Sequence, residues 1–145
     1  MHDQQFEIMK ITNELKTRKI DFIKTESVKE HYPSHRIQIR VETENIHANF
    51  DNYIWLSEAD IDQFLVELET LDNYRAGQAV LESMSPGELK LTFQAIDSLG
   101  HLSVTLYYKK EDRIDKDYSH EIKIEFQIDP TSLPSVRNEL LELIK

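Results

Sequence analysis

A chain of 145 residues with 27 Asp+Glu against 17 Lys+Arg, a formal net charge of -10 and no cysteine can bury roughly two-thirds of its unfolded surface without disulfides or a structural metal. Its charge repels nucleic acid and anionic lipid and attracts cationic partners, and no apolar run approaches the roughly 20 residues that span a bilayer. There are only 3 glycines, and no P-loop, dinucleotide fingerprint, G-x-S-x-G elbow or H-E-x-x-H pair occurs, so neither an enzyme nor a cofactor is indicated.

Met1 to Glu14 lacks the basic and then apolar pattern of a signal peptide, and the chain reads as soluble and cytoplasmic. From Phe6 to Ile11, Ile20 to Phe22 and Ile37 to Val41, apolar residues alternate with polar ones, which predicts strands. Lys24 to Arg36 reads as a polar connection that turns at Pro33. Alternation resumes at Ile46, Ala48 and Phe50, breaks at Asp51-Asn52, and leads into Tyr53-Ile54-Trp55. Trp55 and Tyr53 share a parity and are expected to pack near a sheet–helix junction.

Ser57 to Asn73 predicts a helix. Ser57 is its N-cap, Asp60 stands three residues on, and Leu56 and Ile61 sit at the positions of a hydrophobic staple. Ile61, Phe64, Leu65, Leu68 and Leu71 form one apolar stripe. The segment carries Glu58, Asp60, Asp62, Glu67, Glu69 and Asp72 and no basic residue. Residues 1–56 hold 9 Asp+Glu against 8 Lys+Arg, and residues 57–145 hold 18 against 9, so the negative excess lies in the second part. Glu58, Asp62 and Glu69 fall on one flank of the stripe, Asp60 and Glu67 on the other.

Ala79-Val80-Leu81 is a short apolar run closed by Ser85-Pro86-Gly87. Leu89, Leu91, Phe93 and Ala95 then alternate with polar residues, and Asp97 to Gly100 makes a tight turn in which Gly100 supplies positive φ. Leu102, Val104, Leu106 and Tyr108 return, with Tyr107 and Tyr108 on opposite faces. A charged connection from Lys109 to Asp117 contains Glu111, Asp112 and Asp115. Ile122, Ile124, Phe126 and Ile128 complete an antiparallel meander. Asp129 caps a final helix with Pro130 in its first position, Pro134 divides off a leading turn, and Val136, Leu140, Leu143 and Ile144 form the buried stripe. Strands followed by a helix thus occur twice, without a residue-level repeat.

The expected fold is one α+β domain over residues 1–145: a curved, largely antiparallel β-sheet of about seven or eight strands with two amphipathic helices on one side. The six histidines do not make a metal site: His31 and His35 flank a proline turn with no carboxylate cluster, and His101 and His120 fit hydrogen-bonded structural roles better than catalytic ones.

Residues 53–145 carry a further pattern. It comprises Trp55-Leu56-Ser57 before the first helix, Gly77-x-Ala79-x-Leu81-x-Ser83, Gly100-His101, and Asp129-Pro130-Thr131-Ser132-Leu133-Pro134 before the last helix. This resembles the WapI-like immunity proteins, small cytoplasmic antidotes to toxin domains of bacteria. Ser57, Gly100, Asp129 and Pro130 stand in it as fold markers: a cap, a turn and a helix start. The resemblance implies a stoichiometric protein-binding antidote with a toxin protein as partner. Combined with the acidity, it points to a basic toxin domain, with Glu58, Asp62 and Glu69 as the first set of contact residues and Glu111, Asp112 and Asp115 as the second. Two alternatives stay open: a ligand-binding or enzymatic domain with a pocket around His101, His120 and Tyr107, and an acidic scaffold.

Overall fold

The computed structural model describes residues 7–111, 114, 115 and 117–145, apart from the side chains of Asp51 and Asn52; Phe6 and Asp112 lie outside the described residues. In chain order the elements are β1 (Ile8–Thr12), β2 (Lys19–Val28), β3 (Ser34–Glu42), β4 (His47–Ser57), α1 (Glu58–Tyr74), β5 (Gln78–Glu82), β6 (Leu89–Ala95), β7 (Leu102–Glu111), β8 (Ser119–Ile128), a 3-10 turn (Pro130–Ser132) and α2 (Leu133–Leu143). The α+β class, the antiparallel pairing and the two helices follow the sequence reading. The strands, however, are divided between two four-stranded meanders, β1-β2-β3-β4 and β5-β6-β7-β8, in place of one continuous sheet.

Two segments read as connections are strand over part of their length. Glu26 pairs with Arg36, Ser27 with His35 and Val28 with Ser34, past a bulge between Lys24 and Glu26. Likewise Lys109, Lys110 and Glu111 continue β7 opposite Glu121, His120 and Ser119. Hydrophobic alternation stops where a strand leaves the core, but the backbone ladder runs on, and polar side chains give no sign of it. A second irregularity lies in β4, where Ile39 faces Phe50 but Ile37 faces Ile54, so β4 carries two extra residues. Tyr53 takes up the slack with φ of 55°. Ile54 and Leu56 therefore face the core, Tyr53 is exposed and Trp55 is only partly buried. This reverses the expected parity.

The inward faces of both sheets and both helices form one apolar cluster. Leu91, Val104 and Ile124 share it, as their alternation requires. Each fully buried Leu, Ile or Phe in it contributes about 1.5–3 kcal/mol of transfer free energy. Phe50 of β4 stacks on Tyr108 of β7 with ring centroids 4.7 Å apart, tying one sheet to the other. Phe64 of α1 meets Phe93 of β6 at 5.9 Å.

Each helix covers the first strand of the other sheet: α1 lies along β5, and α2 along β1. A shift of 72 residues (Ser57 to Asp129) aligns β4 and α1 of the first half with β8 and α2 of the second. It carries Ile54 to Phe126, Leu56 to Ile128, Ile61 to Leu133, Phe64 to Val136, Leu68 to Leu140 and Leu71 to Leu143, and all twelve are buried. These two segments thus repeat in burial pattern where they differ in residue type. Asp129 accepts the Thr131 N–H at 3.0 Å, and Pro130 opens the 3-10 turn that precedes α2.

Candidate protein-binding groove

The first helix is fixed at both ends. Ser57 Oγ accepts the Asp60 N–H at 3.1 Å, which satisfies one of the open donors of the first turn. Arg75 closes the other end in left-handed conformation (φ 54°). Its guanidinium bonds the Asp72 carboxylate at 3.2 Å and the Asp72 carbonyl at 3.0 Å. A cation just past the helix thus offsets the unfavourable placement of Asp72 at the negative end of the dipole.

Along the side of α1 nearest β5, Asp60, Gln63 and Glu67 follow at spacings of three and four residues, parallel to the buried stripe of Ile61, Phe64 and Leu68. They form one wall of a groove of about 560 Å³ whose other lining includes Glu82, Met84 and Tyr32. Tyr32 is 59% exposed and Met84 42%. Glu67 Oε1 accepts the backbone N–H of Val80 at 3.0 Å, which anchors this wall to β5. Three carboxylates beside an aromatic ring and a thioether suit a side chain with an aliphatic stem and a cationic head. The spacing of Asp60 and Glu67 was present in the sequence, but the position of Glu82 and Tyr32 beside them depended on α1 crossing to the second sheet.

The contact residues expected from sequence are placed differently. The Glu58 carboxylate accepts from His35 Nε2 at 3.2 Å and pairs with Lys29 at 3.5 Å. The bond from His35 is the main reason its carboxyl is held below the usual range, with Lys29 adding to it. Glu69 pairs with Arg137 of α2 at 3.3 Å. Asp62 is exposed between them. The flank is therefore of mixed charge, with Lys29 and Arg137 at its two ends. Glu111 is exposed at the end of β7 and Asp115 is exposed in the following connection, while Asp112 lies outside the described residues.

His35 carries a role that its polar surroundings in sequence did not reveal. It is fully buried, and its Nδ1 lies 2.8 Å from Ser27 Oγ. A carboxylate only accepts, so Nε2 bears the proton toward Glu58 and Nδ1 accepts from the Ser27 hydroxyl. Burial holds the imidazole pKa below its ordinary value, against the opposite pull of Glu58. The network joins β2, β3 and the first turn of α1.

The pocket imagined around His101, His120 and Tyr107 is not assembled. His101 bonds Asp97 through Nδ1 and borders a cleft with Leu15 and Pro130. Tyr107 lies on the outer face of the second sheet beside Lys90 and Thr105 and donates to Glu121 at 2.7 Å. His120 is exposed. Among the described residues no three His, Cys, Asp or Glu side chains gather as metal ligands.

The profile of the immunity protein WapI-like family matches residues 14–145. The chain belongs to this family. The match takes in β2 to β4, which carried little of the motif-level likeness, so the family pattern covers both halves. No curated protein matches. Among solved structures, the chain is similar to one titled crystal structures of Trypanosoma bruciei MRP1/MRP2, with 10% identity, 97% of this chain and 84% of that chain covered, and a TM-score of 0.47. No helix in the described part of this family member is long and apolar enough to cross a membrane.

Proposed function

We propose that the protein is a stoichiometric antidote that binds a basic toxin domain, with the groove between α1 and β5 taking up lysine or arginine side chains of that domain. Membership of the immunity family supplies the class of activity. The observation that carries the location is the groove lined by Asp60, Glu67 and Glu82, with Tyr32 and Met84 beside them. A protein that grips phosphate or another anion presents cations, and an acidic surface can occupy them. Complementary charge speeds encounter, and desolvated pairs then slow release. Inhibition in this reading is steric and electrostatic, with no bond made or broken by the antidote. The mixed-charge flank at Glu58, Asp62 and Glu69 and the Glu111–Asp115 segment form secondary contact surfaces.

The test is co-purification of the chain with the toxin domain encoded beside it, read as stoichiometry and as loss of toxin activity. A one-to-one complex weakened by removal of Asp60 and Glu82 supports the reading. A catalytic effect, with one antidote molecule inactivating many toxin molecules, overturns it.

A further inference from the structure

The four sheet edges of this molecule are treated unequally. At β1, the outward N–H of Lys10 is taken by Glu139 of α2 at 2.7 Å. At β5, the outward N–H of Val80 is taken by Glu67. β4 is distorted by its two extra residues, and its Trp55 carbonyl accepts from the Met84 N–H at 2.8 Å. β8 is regular over all ten residues of Ser119–Ile128.

The directions of its backbone groups follow from the ladder. Lys109 N–H donates to the Glu88 carbonyl on the β6 side, so alternation sends the groups of Leu102, Val104, Leu106 and Tyr108 toward β8. These residues face Ile128, Phe126, Ile124 and Ile122. The N–H and C=O groups of Glu121, Lys123, Glu125 and Gln127 therefore point away from the sheet, and these residues are exposed. None of those backbone groups has a hydrogen-bond partner among the described residues. A regular edge of this length, without backbone partners among the described residues, is a template for strand addition.

We propose that β8 pairs antiparallel with β8 of a second copy, joining two second sheets into one continuous eight-stranded sheet. The charge sequence is self-complementary, which favours a second copy as the occupant. It allows Ile122 or Ile124 on the two-fold axis, and the pairing of Ile122 with Phe126 favours Ile124. With Ile124 on the two-fold axis, Lys123 of each copy faces Glu125 of the other, and Glu121 faces Gln127. The same register sets Ile122 opposite Phe126. A slip that puts Lys123 on the axis places Lys123 opposite itself and Glu121 opposite Glu125, and a slip to Glu125 places two Glu125 side chains together. Like charges directly opposite disfavour both. Within one copy Lys123 already lies 3.8 Å from Glu125, and Thr105 holds Glu125 by a bond of 3.1 Å, so the carboxylate is in place for the cross-strand partner.

Sedimentation of the full chain over a wide concentration range tests this, together with amide exchange at Glu121, Lys123, Glu125 and Gln127. The expected result is a concentration-dependent dimer in which these four amides become protected. Glu125→Lys turns two attractive pairs into two repulsive ones and should weaken the dimer by about tenfold or more, and so should Lys123→Glu. The double variant Lys123→Glu/Glu125→Lys should restore it, which a folding defect could not do. A wild-type chain that stays monomeric into the near-millimolar range, or a dimer indifferent to both single changes, overturns the proposal. So does protection of these amides only on addition of a toxin domain, which would make the edge a site for the toxin.

Discussion

Glu67 and Glu139 stand at equivalent positions of the two halves, and each accepts the amide of the central residue of an edge strand in the opposite sheet. Glu67 reaches Val80 of β5 at 3.0 Å, and Glu139 reaches Lys10 of β1 at 2.7 Å. A buried or half-buried amide left without a partner costs about 1–3 kcal/mol. Glu67→Ala is therefore expected to lower stability by about 1–2 kcal/mol, and Glu139→Ala by less, because the Lys10 amide is open to water. Glu67→Gln should lose less, since its carbonyl still accepts. Denaturant midpoints check the magnitudes, and faster exchange at the Val80 amide in the first variant and the Lys10 amide in the second checks the cause.

The His35 network sets a pH dependence. Burial depresses the folded-state pKa of His35, so between that value and the ordinary value of about 6.5 the unfolded chain binds the extra proton. Stability from this group is complete above about pH 6.5 and is lost as pH falls through that window. The charges facing the ring are Glu58, which favours protonation, and Lys29 and Lys24, which oppose it. Glu58 has a depressed carboxyl pKa, so its contribution is lost at lower pH, below the ordinary carboxylate value. His35→Gln should flatten the stability profile below about pH 6.5. An unchanged slope in that interval would assign the dependence to other groups.

Gly100 has φ of 90°, as its turn required, and a Cβ placed there would meet the Arg75 side chain at ordinary contact distance, Cγ at 3.8 Å and Cβ at 4.0 Å. These contacts do not clash, so the constraint is in the backbone alone. Gly100→Val should cost more than about 1 kcal/mol, because a branched side chain is strained at positive φ. Gly100→Ala should fall between the two, and equal denaturation midpoints for all three proteins would show that the turn relaxes freely.

What the sequence disclosed depended on whether one strand or one helix contained the whole signal. Leu89 to Phe93, Leu102 to Tyr108 and Ile122 to Ile128 each show their own inward face, and Ser57 and Gly100 act on neighbours a few residues away. The division into two sheets was not visible, because the same alternation serves one sheet of eight strands or two of four. Glu26 to Val28 and Lys109 to Glu111 pair outside the core, where no apolar residue marks a strand. The 72-residue repeat stayed hidden because Phe64 answers to Val136 and Ile54 to Phe126: burial is preserved and residue identity is not. For the same reason Glu58 and Glu69 looked like a free acidic face. Their cations, Lys29 and Arg137, come from segments that only the fold brings near.

That pairing changes how the acidic surface is best tested. Neutralising Glu58, Asp62 and Glu69 together would break the His35 bond and the Arg137 pair, so a loss of binding could reflect a shifted helix. Asp60→Asn with Glu82→Gln removes two of the three groove carboxylates and spares Glu67, which holds β5. Both are exposed, and the change in stability should stay within about 1 kcal/mol, most of it from Asp60 near the helix N-terminus. If the groove receives cations of the toxin domain, association at low salt should slow by roughly tenfold. The difference from wild type should shrink as salt shortens the Debye length from about 8 Å at physiological strength. Dissociation should quicken as well if a carboxylate is desolvated against a partner cation. Association rates that coincide for the two proteins at every ionic strength would remove the groove from the binding surface and shift the search to Asp62 and the Glu111–Asp115 segment.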